Sequence, residues 1–168
     1  MGSEVKEILN KLSSYNLFNY LLPGIIFVVL ANRFTRYSFI QHDIVIGLFL
    51  YYFIGLSISR LGSLAIEPIL KRISFLQFAD YDDFVTASKN DDKIELLSEV
   101  NNTYRTICSL FCMLLLLKLY EKIEGRFPVL NEWDGFVVIV LLLLIFLLSY
   151  RKQTIYLIKR ITLSVRIK

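Results

Sequence analysis

Trp133-Asp134-Gly135-Phe136-Val137-Val138-Ile139-Val140-Leu141-Leu142-Leu143-Leu144-Ile145-Phe146-Leu147-Leu148-Ser149-Tyr150 decides the class of this protein. From Phe136 to Leu148 no residue is polar, so neither a helical stripe nor a strand alternation can be drawn through it. A helix that is apolar all round belongs in hydrocarbon, and about eighteen residues at 1.5 Å each cross most of a bilayer core roughly 30 Å thick. Trp133 and Tyr150 bracket the block as aromatic residues do at the two interfaces.

Working outward, three more blocks of the same kind appear: about Leu17 to Ala31, interrupted by Pro23 and Gly24; Ile44 to Ile58; and Thr103 to Tyr120. They are far longer than the ten alternating residues of a barrel strand, so helices are the expected spanning element. The 168 residues are 55% apolar with mean hydropathy +0.55, and the apolar residues are gathered into these blocks. The fold expected is all-α: a polytopic membrane bundle of four transmembrane helices with a cytoplasmic helical segment between the second and third.

The divisions expected are 1–14, an amphipathic cytoplasmic helix carrying Val5, Ile8, Leu9 and Leu12 on one side; 15–59, the first two spans; 60–103, the cytoplasmic segment; 104–150, the last two spans; and 151–168, a basic cytoplasmic tail. Pro23 predicts a kink in the first third of span one. The second helix meets no strong breaker until Pro68 and should leave the membrane as a stalk. Ile94, Leu97, Val100 and Tyr104 predict a helix that begins near Asp91 and continues into span three. Phe75, Phe78, Tyr81 and Phe84 recur every three residues and predict a small helical core. From Arg160 to Lys168 apolar and polar residues alternate strictly, which is a strand period; pairing with another chain, lipid contact and disorder are all open for it.

Lys and Arg set the orientation. With the amino end, the 60–105 segment and the tail on one side, that side holds Lys6, Lys11, Arg60, Lys71, Arg72, Lys89, Lys93, Arg105 and six tail cations, against Arg33, Arg36, Lys118, Lys122 and Arg126 on the other. Both termini are therefore expected in the cytoplasm. The net charge of +4 follows from this topology and does not call for nucleic acid. Cys108 and Cys112 share a helix face, cannot bridge each other, and read as buried thiols.

No catalytic signature is present: G-x-S-x-G, a P-loop and H-E-x-x-H are all missing, and His42 has no second ligand nearby. Asp80, Asp82 and Asp83 lack the glycine and distal glutamate of a calcium loop. We expect no enzyme, metal or cofactor. Polar and small residues within the spans are more telling, because hydrocarbon penalises unpaired polar groups. Asn16, Asn19, Pro23 and Gly24 are candidates for a pore lining or hinge, with capping of the first turn the alternative for the asparagines. Gly55, Ser59, Gly62 and Ser63 form a small-residue edge suited to close helix packing, with a pore lining as the alternative. Lys118 can extend to headgroups or pair with Glu121 or Glu124. Arg60, Lys71, Arg72, Arg151, Lys152, Lys159 and Arg160 are candidate contacts for anionic lipid or another anion, while the acids of 80–99 offer a surface of opposite sign.

The stretch Tyr15-Asn16-Leu17-Phe18-Asn19-Tyr20-Leu21-Leu22-Pro23-Gly24, with the stalked second helix and the aromatic and acidic segment after it, resembles small bacterial membrane proteins of anti-phage defence operons. Two groups share this layout, the channel effector of Hailong systems and the membrane component of Kiwa systems. The resemblance implies a homo-oligomer, a tetramer, in the bacterial inner membrane, working with a soluble partner encoded beside it. In the Hailong-like form it also implies control by an oligonucleotide signal. The function expected is a gated ion channel that permeabilises the membrane on infection. The alternative is a membrane-anchored sensor or scaffold that recruits a soluble DNA-binding partner.

Overall fold

The computed structural model describes residues 14–166, and all regular structure within them is helical. Helix α1 joins Ser14–Asn16, a π-helical turn Leu17–Leu21 and Leu22–Phe34; α2 joins Ile44–Leu61, a second π-helical turn Gly62–Ile66 and Glu67–Arg72. Then follow α3 (Tyr81–Ser88), α4 (Lys93–Glu124), a 3₁₀ segment Pro128–Trp133, and α5 (Asp134–Arg166). Among the described residues three helices are long and apolar enough to cross a membrane, Leu17–Phe34, Ile44–Arg72 and Pro128–Val165, against the four spans expected; α4 is not one of them. The expected amphipathic helix at 1–14 lies outside the described residues except for Ser14.

The two π-helical turns have a common cause. Proline lacks an N–H, and its ring crowds the carbonyl four residues back. Ahead of Pro23 the Leu22 N–H bonds to the Leu17 carbonyl, and ahead of Pro68 the Glu67 N–H bonds to the Gly62 carbonyl. Each five-residue step widens the helix just before the proline. Both helices thereby continue through it, and α2 runs past Pro68 to Arg72. Asp43 starts α2, accepting the Val45 and Ile46 N–H groups at 2.8 and 2.9 Å.

The core is formed by α1, α2 and α4. Phe27, Val28 and Ala31 pack with Ile58 and Leu110, and Tyr51, Ile54, Met113 and Leu114 surround them. At its narrowest point α1 crosses α2 with backbone against backbone. A Cβ on Gly24 would lie 1.8 Å from the Tyr51 carbonyl oxygen, and one on Gly55 would lie 1.8 Å from that of Tyr20. Only glycine fits either position. Helix α5 lies outside this core, against α2 through Phe53 and Phe146, whose rings stack at 5.7 Å. It also reaches α3, where Tyr156 meets Tyr81 at 5.6 Å.

The structure departs from three sequence expectations. Within the alternating stretch 160–168, the described residues 160–166 are not a strand: α5 continues through them as a helix to Arg166. No glycine or proline follows Gly135, and a lone strand would leave its backbone unpaired where a helix satisfies it locally. The aromatic row of 75–84 is not a helical core. Phe75 lies in the turn that closes α2 and Phe78 in the irregular chain before α3, both exposed, at 72% and 45%, and the buried residue of α3 is Val85. Cys108 is exposed rather than buried and Cys112 is partly so, both as free thiols, because α4 turns this face away from α1 and α2.

Candidate functional site

A buried polar cluster joins the three core helices at one level. Asn19 of α1 and Thr106 of α4 are fully buried, and Ser59 of α2 is nearly so. Thr106 Oγ1 lies 2.8 Å from Asn19 Oδ1 and 3.0 Å from Ser59 Oγ, and the Asn19 amide reaches Ser59 Oγ at 3.4 Å and the Tyr15 hydroxyl at 3.1 Å. A hydroxyl carries one proton and two lone pairs. All three contacts are met when Thr106 donates to Asn19, Ser59 donates to Thr106, and the Asn19 amide donates to Ser59. One turn along α4, Ser109 donates to the Ile58 carbonyl at 2.8 Å, tying α4 to α2 a second time. The Asn102 carbonyl, 2.9 Å from Thr106 Oγ1, is an alternative acceptor within α4.

Along the same edge of α2 the neighbours change turn by turn. Gly55 and Ser59 face α1 and α4; Gly62 lies against Arg105 and Ser109 of α4; Ser63 faces α5, where Lys152 Nζ donates to its carbonyl and hydroxyl, both at 2.7 Å. Next comes Glu67, 8% exposed. Its Oε2 accepts from Arg105 at 2.8 Å, its Oε1 from Lys71 at 3.1 Å, and Lys152 stands 3.9 Å from Oε1. Three cations from α2, α4 and α5 thus converge on one carboxylate, an arrangement that offsets the desolvation of a charge only because it is multiply paired.

The opposite end has its own buried acid. Glu124, 1% exposed, closes α4 against the loop after α1, where the Tyr37 hydroxyl and the Arg36 guanidinium both meet its carboxylate. Lys118 pairs with Glu121 at 2.7 Å on the exposed side of α4.

Of the residues singled out from sequence, the structure brings together Asn19 and Ser59 in the core cluster, and Arg60, Ser63, Lys71 and Lys152 around the Glu67 end. Asn16 is half-buried in the first turn of α1. Asn19 turns into the subunit core rather than toward a surface. Pro23 and Gly24 are both buried, with Gly24 at the α1–α2 crossing. Arg72, Arg151, Lys159 and Arg160 lie exposed on α2 and α5. Sequence reasoning passed over Glu67, Thr106 and Ser109, named Glu124 only as a partner for Lys118, which pairs with Glu121 instead, and took Arg105 for topology alone. Glu67 had a signal, being the single acid between Asp43 and Asp80. Among the described residues no group of acids, histidines and cysteines is placed to hold a metal ion.

No protein-family model, curated protein or solved structure matches this chain, so its placement rests on this geometry: a three-helix core closed by polar contacts, with a long apolar helix set against its side.

Proposed function

We propose that the chain is a four-span protein of the bacterial inner membrane with both termini in the cytoplasm, and that several copies, four in the simplest case, form a gated ion channel that permeabilises the membrane on phage infection. The observation that carries the membrane part is α5, whose apolar stretch is the most hydrophobic in the chain and has none of its residues buried in the subunit. Such a surface requires lipid or other copies. In this reading α4 supplies the fourth span. Arg105 and Lys118 stand about 20 Å apart along it and extend their stems toward the two interfaces.

One subunit of this size does not enclose a pathway, so conduction requires copies around an axis. The polar groups available to line it are Asn19, Ser59, Thr106 and Ser109, now turned inward. Gating is then a movement of α1 against α2 and α4 that exchanges these contacts for water, with the π-helical turn ahead of Pro23 and Gly24 as the place where α1 can yield. The defence setting, with an operon-encoded soluble partner or its oligonucleotide signal as trigger, rests on the resemblance of residues 15–24 and the span layout. Ion flux through liposomes holding the purified oligomer, with and without extract of infected cells, tests this. Flux only with extract supports the channel, whereas silence in both states from intact oligomers rejects it.

The scaffold reading has its own observation. On the amino-terminal part of α4, Leu96, Leu97, Val100 and Tyr104 are exposed beside the acids of 91–99, a surface suited to a soluble partner. Silent liposomes together with a partner that copurifies through this face would favour it.

A further inference from the structure

At the end of the core that holds Glu67, the cations are not equally matched. Arg105 and Lys71 are taken by the two oxygens of Glu67. Lys152 reaches the carboxylate only at 3.9 Å and is held instead by the neutral Ser63. Arg60 pairs with no carboxylate among the described residues. These two under-matched cations line one cleft between α2 and α5, about 40 Å³ in volume, with Ser63, Ser149, Gln153 and Tyr156. The volume exceeds that of a single water. The Ser149 hydroxyl is buried there without a hydrogen-bond partner.

Charge makes the cleft an anion site. Arg60, Lys71, Arg105 and Lys152 against Glu67 leave the region three positive charges in excess, in a partly buried place where unpaired charge is costly. Depth selects the anion. Arg60 ends the apolar run of α2 and Ser149 ends that of α5, so the cleft opens where hydrocarbon gives way to headgroups.

The geometry points to a binding site for the phosphate of an anionic phospholipid, held by the Arg60 guanidinium and the Lys152 ammonium with the Ser149 hydroxyl as a further donor. Glu67 and Arg105 act as positioning residues. Glu67 keeps Lys71 and Arg105 from competing for the phosphate, and Ser63 accepts two of the three Lys152 ammonium protons, which leaves one for the anion. A phosphate accepts from a guanidinium in a bidentate manner, which suits Arg60 better than a lysine would. The site would fasten α5 to α2 through a lipid at one interface. The inference uses the membrane placement proposed above but not conduction, so silent liposomes would leave it standing.

The test is thermal unfolding of the full chain in neutral detergent, titrated separately with phosphatidylglycerol, phosphatidylcholine and inorganic phosphate. Saturable stabilisation by phosphatidylglycerol alone is expected. Arg60→Gln should weaken the apparent affinity about fivefold, and Arg33→Gln at the other end should leave it unchanged. Gln153→Glu, an exposed change that places a carboxylate beside Arg60, should weaken it likewise and guards against misfolding of the first variant. Equal effects of the two lipids, or undiminished phosphatidylglycerol binding in both cleft variants, would overturn the site. Protection by inorganic phosphate equal to that by phosphatidylglycerol would overturn the lipid as its source.

Discussion

Helices α1, α2 and α4 on one side, and α5 on the other, solve burial in opposite ways. The first three meet through two glycines, a polar cluster and the ion group of Glu67, Lys71 and Arg105, so their contacts are specific in position and direction. Helix α5 has the higher hydropathy, yet it leaves its apolar stretch outside and touches the rest mainly through Phe146, Lys152 and Tyr156. The difference teaches that hydrophobicity does not choose partners in a membrane protein. Lipid tails satisfy leucine as well as another leucine does, whereas a buried Asn or Glu is satisfied only by a placed partner.

That contrast can be broken most directly at the glycine crossing. Gly55→Leu places a side chain where its first carbon already overlaps the Tyr20 carbonyl, and should cost about 3 kcal/mol or more, seen as loss of folded protein on size exclusion. Gly135→Ala, where nothing lies within 4 Å, is the control and should leave folding intact. A tolerated Gly55→Leu would mean that α1 and α2 do not cross there.

Glu67→Gln comes next in size. It leaves Arg105 and Lys71 facing a neutral amide in a half-closed site and should destabilise by about 2–3 kcal/mol, below the roughly 3–5 kcal/mol of a fully buried pair because the cations are partly solvated. Reversible unfolding in mixed detergent reads this. Restoration by Arg105→Gln in the same chain would show that the loss is excess charge rather than a missing contact.

Thr106→Val keeps the shape and removes the hydroxyl that faces Asn19 and Ser59. The expected loss is about 1 kcal/mol, in keeping with interhelical hydrogen bonds measured in membranes. A double-mutant cycle with Asn19→Leu should give a coupling of similar size; additivity would separate the two residues.

The smallest effect should come from α5. Leu143→Ala, on the exposed side, should change the stability of the isolated subunit by less than about 0.5 kcal/mol, against the 2–5 kcal/mol usual for Leu110→Ala in the core. A core-sized loss at Leu143 that appears only at concentrations where copies assemble would show α5 to be a subunit interface. That result would support the oligomer proposed here.

Much of the secondary structure was legible, and the reasons are local. Apolar blocks and the run from Asp91 into the third block act within a few residues. The tail from Arg160 misled because strict alternation is a strand signal only where a second strand exists to pair with. The aromatic row at 75–84 misled because a spacing of three was read without asking where the helix begins; Asp80 is extended and the helix starts at Tyr81. The site was half legible. Asn19 and Ser59 stood out separately as polar residues in apolar blocks, but nothing local tied them to each other or to Thr106.

By itself, then, the sequence determined that this is a helical protein with apolar helices of spanning length, because in hydrocarbon a helix satisfies its own backbone and composition alone says which segments can do so. Tertiary structure decided what those helices do to one another. The partners of Asn19 on other helices lie 40 and 87 positions away, and Arg105 lies 38 from Glu67, distances over which no periodicity carries information. Side-chain charge is written in the chain, but whether a lysine neutralises an acid, holds a serine or waits for a phosphate depends on which helix comes to stand beside it.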